Sequence, residues 1–300
     1  MQRFLAAALV CVFVAGCIEQ GGTSRPSQDL DPGSNPANSD DGSGSVPSQT
    51  STADQSSGRS PTQTPARETG FQFDVAADVP EQDLESIRRG LATAGDFLAA
   101  NLGGDIPPEA RSAITVKVVA TGRGNDHPNG GGACCTALDP EPPYEARPFF
   151  DVAHPHWLSQ TTWFWSAEAG RQSSAIHEYA HVWHAHLGCL GGQPWKGLPD
   201  WLEEGFATQV AYAALIEQGA TTKGETASFM EHSAKDGEAK QWNTPLPDLH
   251  SNQVWPGHIG YLALELAMAD EGHLMGLRTI CTELASGTSL EAAFEAAFGV

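Results

Sequence analysis

The pentapeptide HEYAH, residues 177–181, is the feature that most restricts how this chain can fold and what it can bind. Residues four apart lie one turn apart on the same face of an α-helix, so the imidazoles of His177 and His181 can reach one ion if the stretch is helical. The apolar pattern of residues 170–187 predicts a helix, and Gly188 follows it as a stop signal. We therefore expect the two histidines to be metal ligands on one helical face.

The glutamate inside this pentapeptide suits a different role. Glu178 lies beside the ligand face, too close in sequence to His177 to be a third ligand of the same ion. It would reach a water activated by the ion, take its proton and pass that proton to a leaving amine. The opposite face of the helix carries Tyr179, Val182 and Trp183, which we expect to pack in the core.

The third ligand is expected on the next helix. A catalytic zinc ion takes three protein ligands and keeps one open position. Residues 199–209, PDWLEEGFATQ, begin a second predicted helix with proline in its first turn. HEYAH followed by WLEEGFA resembles the gluzincin metallopeptidases, including aminopeptidase-N-type enzymes and bacterial peptidase-MA-like domains. The resemblance makes Glu204, directly before Gly205, the third zinc ligand. Glu203 lies about 100° around the helix, so both carboxylates cannot face one ion well.

The resemblance also implies a fold and an activity. It extends over about residues 80–299 and implies a zincin-like (thermolysin-like) α+β domain, with a small mixed sheet followed by a mostly helical C-terminal half. The implied activity is hydrolysis of peptide bonds with one Zn²⁺ per domain. Tyr261 matches a family tyrosine that would stabilise the oxyanion, and His258, one turn earlier, is a competing candidate. No Gly-Ala-Met-Glu-Asn stretch of the aminopeptidases is found, so endopeptidase or exopeptidase action stays open.

His184 offers an alternative third ligand, because it shares the helical face of His177 and His181. It lies a turn beyond the ion, and we interpret it as a packed residue or an outer neighbour of the site. The metzincin pattern fails, since it needs glycine at position 184. Gly205 inside a helix costs about 1 kcal/mol relative to alanine. A close approach of two helices behind the metal would explain it.

Three function classes remain on the sequence alone. The first is an active zinc peptidase, which the intact Glu178 favours. The others are a zinc-stabilised, non-catalytic binding or adhesion module and a zinc hydrolase acting on a non-peptide amide of the envelope. The chain has 16 Lys and Arg against 37 Asp and Glu, a formal charge of −21. Such a charge repels nucleic acid. The resemblance implies a peptide or protein substrate, and we expect a monomer.

The N-terminal region predicts export. Residues 1–17 carry an apolar stretch too short for a permanent membrane span, and they end in Val-Ala-Gly-Cys, a lipobox-like sequence. We expect signal cleavage and lipidation at Cys17, which would anchor the protein to the outer surface of the bacterial plasma membrane or to the outer membrane. Ordinary secretion is the alternative. Residues 18–70 are rich in Ser, Gly and Pro and predict a disordered linker, followed by the folded domain 71–300.

Other elements follow from periodicity and turn signals. Residues 80–102 predict a helix, 113–120 a strand and 121–136 a Gly-rich loop. Residues 147–153 are a weaker strand, which as an edge strand would pair with an extended peptide. Four further helical segments are predicted at 199–218, 257–269, 274–285 and 290–298.

The cysteines suit an exported protein, but the sequence leaves their pairing open. Besides Cys17, the folded region contains Cys134, Cys135, Cys189 and Cys281, which allow three pairings. A bridge between the adjacent Cys134 and Cys135 would be strained. We therefore expect one or both of them to pair with Cys189 or Cys281, and metal binding by the adjacent pair is the weaker alternative.

Overall fold

The computed structural model describes most of the predicted folded domain. The described residues are 69–123, 134–138, 146–155, 157–158, 166–189, 198–238, 257–268 and 274–299. The predicted signal peptide, the lipidation site Cys17 and nearly all of the predicted linker lie outside them. Across the described part of the chain, no helix is both long enough and apolar enough to cross a membrane.

Strands and helices follow one another in the order expected of an α+β fold. The strands are β1 (Gln72–Val75), β2 (Thr115–Val119), β3 (Cys134–Leu138) and β4 (Ala146–Asp151). The helices of the described residues are α1 (Glu81–Asn101), α2 (Pro108–Arg111), α3 (Ala167–His186), α4 (Asp200–Glu217), α5 (Lys223–Glu238), α6 (Gly257–Met268), α7 (Met275–Ala285) and α8 (Leu290–Phe298). The strands of the described residues end with β4, and every regular element described after residue 166 is a helix. The predicted small mixed sheet followed by a mostly helical half is confirmed.

The sheet has the strand order β1-β2-β4-β3. Strands β1, β2 and β4 run parallel, and β3 pairs antiparallel with β4, Cys135 lying opposite Phe149. The strand predicted at 147–153 is therefore an interior strand, and the prediction that it is an edge for an extended peptide is wrong. The loop prediction for 121–136 is also wrong at its end, because β3 begins at Cys134. Pairing with β4 supplies backbone hydrogen bonds there that the local sequence does not reveal.

The helix α3 packs on α1 through a close contact between small residues. A Cβ atom added at Gly90 would lie 2.6 Å from the Cβ of Ala175 and 2.8 Å from the carbonyl oxygen of Gln172. Real side chains do not approach so closely, so the two backbones can meet only because position 90 has no side chain. The contact fixes α3 against α1, while α3 also contacts β3 and β4 of the sheet.

The back of α3 is held by the loop that follows α1. Tyr179, Val182 and Trp183 are buried in the core, as predicted. The Tyr179 hydroxyl donates a 2.5 Å hydrogen bond to Asp105 Oδ1, and Trp183 Nε1 donates to the Gly104 carbonyl oxygen at 3.0 Å. Burial and the Asp105 carboxylate raise the pKa of Tyr179, so the hydroxyl remains a neutral donor. These bonds fix the rotation of α3 about its own axis.

The helix α4 packs on α6 with backbone contact. A Cβ atom at Gly205 would lie 2.5 Å from the carbonyl carbon of Gly260. Glycine at both positions lets the helices approach directly behind the segment that carries Glu203 and Glu204. Gly205 thus marks a close helix contact, as predicted, but its partner is α6 rather than α3, the other helix of the predicted metal site.

A disulfide joins Cys189, just after α3, to Cys281 in α7. Both residues are buried, and 92 positions of sequence separate them. The expectation that Cys134 or Cys135 pairs with one of these two cysteines is therefore wrong. Closing a loop of that length stabilises the fold by about 4 to 5 kcal/mol in the chain-entropy account. The bridge ties the C-terminal end of α3 to the last pair of helices.

Gly205→Ala is expected to lower the free energy of unfolding by about 1 to 3 kcal/mol, because the new methyl group would overlap the backbone at Gly260. The matched control is Gly224→Ala in α5, where an added Cβ meets nothing within 4 Å. That change should leave the stability unchanged or raise it slightly. Chemical denaturation of both variants is the measurement, and equal stabilities would contradict the close helix contact.

Candidate metal centre

The two histidines come from the middle of α3. Ser166 caps the N-terminus of this helix, and its side-chain oxygen accepts a hydrogen bond from the backbone N–H of Ala169 at 3.0 Å. One turn separates His177 from His181, and their Nε2 atoms lie 3.1 Å apart. The two ring edges therefore converge on one point, as the i, i+4 spacing predicts.

The helix α4 brings a carboxylate to the same point. Proline 199 precedes this helix, and Glu204 lies in its second turn. Glu204 Oε2 is 3.1 Å from His177 Nε2, and Glu204 Oε1 is 3.8 Å from His181 Nε2. One ligand atom from each of the three residues lies within 4.8 Å of the others, and among the described residues this is the one such group. The three predicted ligands are thus brought together, and the group could hold a metal ion.

The charges in this cluster compensate each other. Burial lowers the pKa of His181, but the carboxylates of Glu204 and Glu203 outweigh burial and raise it well above its usual value. Burial likewise raises the pKa of Glu204, but His181 and His177 outweigh burial and hold it well below its usual value. In the metal-free protein Glu204 is therefore ionised at neutral pH, and His181 carries a proton beside it.

The nitrogens that face away from the cluster have oxygen neighbours on α4. Glu203 Oε1 lies 3.4 Å from His181 Nδ1, and Thr208 Oγ1 lies 3.5 Å from His177 Nδ1. Both distances are longer than an ideal hydrogen bond. The sequence excluded Glu203 as a ligand but did not reveal these contacts. The signal was available in the helical spacing, since position 208 is one turn after position 204.

Glu178 is almost completely buried beside the first histidine, with 3% of its surface exposed. A buried carboxylate next to a cluster of imidazoles is a reasonable proton acceptor, but burial alone does not establish the role. Its predicted part as general base therefore stays a prediction.

His184 is a packed residue, as predicted. Its side chain is fully buried, and its ring lies edge-on to Phe206 with a centroid distance of 4.0 Å. Neither ring nitrogen has a hydrogen-bond partner among the described residues. Burial, and then the electrostatic effect of His181 and His177, holds the pKa of His184 well below its usual value. The ring is thus a neutral, apolar neighbour of the cluster, and it is not in the group of three.

The two predicted oxyanion donors both lie on α6. Burial and the charge of His177 lower the pKa of His258 to about 4, so its ring is neutral at neutral pH. The ring of His258 lies edge-on to Phe229 at 5.7 Å. Tyr261 packs against Tyr212 with ring centroids 6.0 Å apart, and burial and Glu265 raise its pKa. His177 influences the pKa of His258, which relates His258 to the cluster. Whether His258 or Tyr261 is the oxyanion donor stays a prediction.

The chemistry of the donor set fits a divalent transition metal. Two imidazole nitrogens and one carboxylate oxygen are the ligand types of three-coordinate protein sites that leave a further position open. The side chains of His177 and Glu204 are 12% and 21% exposed to solvent, so an ion bound there would be accessible from solvent. The residues present therefore fit a metal ion, and they leave its identity open.

Comparison with protein-family models and with curated proteins finds no match to this chain. We therefore infer the function from the residues of the site and their geometry.

Metal content should separate the ligands from their packed neighbour. We expect about one zinc ion per chain in the parent and in His184→Phe, but much less in Glu204→Ala. Phenylalanine at position 184 removes two buried nitrogens that have no hydrogen-bond partner in the described part of the chain, so the stability should be unchanged or higher. Glu217→Ala, at the exposed end of α4, is the matched control. Elemental mass spectrometry is the measurement, and loss of metal in His184→Phe would make that residue a ligand.

Metal uptake should release about one proton per chain at neutral pH, because the ion must displace the proton that His181 holds in the metal-free protein. The pKa of His181 is raised in the folded protein, so bound protons compete more strongly as pH falls and the metal affinity should decrease. The raised pKa also stabilises the metal-free fold below the unfolded pKa of 6.5, and that contribution is lost as pH rises through the folded pKa. Calorimetric titration in buffers of different ionisation enthalpy measures the number of protons released. A count of zero would contradict a protonated His181 beside an ionised Glu204.

Proposed function

We propose that the protein is a zinc-dependent metallopeptidase of the gluzincin type, with a zincin-like α+β domain. The observation that carries the proposal is the convergence of His177, His181 and Glu204 from two crossing helices. The resemblance of HEYAH and WLEEGFA to the two gluzincin motifs assigns these same three residues as ligands. The geometry of the cluster and the motif resemblance are independent arguments that agree.

In the proposed reaction, each residue of the site has a separate chemical role. A zinc ion bound by these ligands would lower the pKa of a coordinated water and polarise the scissile carbonyl. Glu178 accepts the proton of the attacking water and donates it to the leaving amine. Tyr261, or else His258, donates a hydrogen bond to the oxyanion that forms on the substrate. The carbonyl carbon is attacked by water, and the C–N bond breaks without any change of oxidation state.

The proposal also includes a cellular location and a substrate class. The disulfide between Cys189 and Cys281 supports export, because such bonds persist in oxidising compartments. We propose a bacterial envelope location with a lipid anchor on Cys17 and a flexible linker before the catalytic domain. The proposed partner is a peptide or protein substrate.

Glu178→Gln is expected to keep its metal and to lose about 10² to 10⁴-fold in turnover, because the amide cannot accept the proton of the attacking water. The assay is the appearance of new peptide termini, followed by mass spectrometry, when the zinc-loaded protein is incubated with a mixture of unfolded polypeptides. Glu217→Gln, which changes the same group at the far end of α4, should cleave as the parent does.

The possible outcomes separate the competing functions. Equal cleavage by Glu178→Gln and the parent would contradict the proposed mechanism. A zinc-loaded parent that cleaves no peptide bond would contradict the peptidase, and it would favour a binding module or a hydrolase of other amides.

A further inference from the structure

We infer that Phe229 on α5 is a specificity-determining residue: it fills the space beside His258 and restricts the substrate to a small side chain next to the scissile bond. The inference deepens the proposed function and rests on it, because it takes the oxyanion donor to lie on α6. The ligand set comes from α3 and α4, so it assigns no role to α5. The substrate class that follows is peptides with glycine, alanine or serine at the position that lies against α6.

The N-terminal part of α6 lies beside the metal centre. A Cβ atom added at Gly205, the residue after the ligand Glu204, would lie 2.5 Å from the carbonyl carbon of Gly260. His258 is two positions before Gly260, and His177 influences it electrostatically. A substrate whose carbonyl oxygen reaches both the metal and a hydrogen-bond donor on α6 must therefore lie between the ligands and this helix.

Phe229 occupies another side of His258. The two rings are perpendicular, with centroids 5.7 Å apart, and the Phe229 ring also lies 6.2 Å from the ring of Tyr212 on α4. Phe229 is partly exposed, whereas its neighbours His258 and Tyr212 are only 9% and 4% exposed. The Phe229 ring thus forms the outer layer of this group, and it fills volume that a large substrate side chain beside His258 would need.

The backbone of α5 is fixed at the position of this ring. The neighbouring face of α5 carries Thr226 and Met230, and both are fully buried. On the same face, Lys223 Nζ lies 3.3 Å from Glu265 Oε2 on α6. Positions three and four apart share one face of a helix, so α5 packs against α6 along this line. A fixed backbone leaves Phe229 only changes of rotamer, and the rings on either side of it restrict those.

A size preference follows from this packing. A benzyl side chain needs about the volume that the Phe229 ring already fills, and adding atoms to a filled space is unfavourable. The side chains of glycine, alanine and serine are too short to reach the ring. Removing the ring would leave an apolar space of the same size, and such spaces accept small aromatic ligands. One substitution at position 229 should therefore reverse the preference.

The test uses two metal-binding probes that need no catalysis. Acetohydroxamate carries a methyl group, and phenylpropanohydroxamate has the same metal-binding group with a benzyl group added to that methyl. Both are titrated into the Co²⁺-loaded full chain, whose visible spectrum reports ligand binding. The parent should bind the larger probe no more tightly than the smaller one. Phe229→Ala should bind the larger probe about 10-fold more tightly than the parent does, because its ring becomes buried, and acetohydroxamate equally well.

Two further variants separate the proposed effect from a general loss of packing. Phe294→Ala removes the same ring from α8, where it lies near Trp201 and Phe298, and it should bind both probes as the parent does. Phe229→Leu keeps an apolar side chain of intermediate size, so its gain for the larger probe should be smaller. This variant also provides the test if Phe229→Ala does not fold. Metal content and the thermal midpoint show which variants are folded.

The outcomes keep this inference apart from the proposed function. A parent that binds the larger probe about 10-fold more tightly than acetohydroxamate has an open pocket beside the metal, which would overturn the inference alone. Folded, metal-loaded variants at position 229 with the same ratio of affinities as the parent would do so too. A parent that takes up no metal ion would overturn both. The expected size preference in a metal-loaded protein that cleaves no peptide would support the inference and contradict the peptidase.

Discussion

The close packing of α3 on α1 and of α4 on α6 is the constraint that brings His177 and Glu204 into contact. A 3.1 Å approach of two polar side chains requires the helices that carry them to cross at one fixed distance and rotation. Glycine at positions 90 and 205 removes the side chains that would separate these helices from their neighbours. Hydrogen bonds from Tyr179 and Trp183 to the loop after α1 then set the rotation of α3. The site is therefore a consequence of packing on the opposite side of each helix.

Burial of the cluster is tolerated because its charges compensate one another. An isolated buried carboxylate or imidazolium would be strongly destabilising, and each would shift its pKa toward the neutral form. Here Glu204 stays ionised because His181 and His177 surround it, and the same carboxylate helps His181 to stay protonated. Among the described residues, no carboxylate contacts His184. Burial lowers its pKa, so its ring stays neutral. His181 and His184 share one helical face but have opposite pKa shifts, because His181 faces carboxylates of α4 and His184 packs against Phe206.

Local sequence patterns predicted which residues would come together at the site. The predictions that were wrong depended on pairing between segments far apart in the sequence. The i, i+4 spacing of His177 and His181 is a property of a single helix, so periodicity reveals it. Glu204 was predicted from the resemblance of WLEEGFA to a gluzincin motif. The pairing of β3 with β4, which made residue 134 the start of a strand, depends on partners distant in sequence. So does the choice of Cys281 as the partner of Cys189. The contact of Glu203 with His181 needed both helices in place, and the chemistry of Glu178 and Tyr261 is beyond what geometry alone establishes.

The most direct test of the central claim is a crystal structure of the zinc-loaded protein, with anomalous difference maps collected on both sides of the zinc absorption edge. We expect one anomalous peak, about 2.0 to 2.2 Å from Nε2 of His177, Nε2 of His181 and a carboxylate oxygen of Glu204. A peak held by a different set of side chains, or no peak between α3 and α4 in a zinc-saturated crystal, would contradict it.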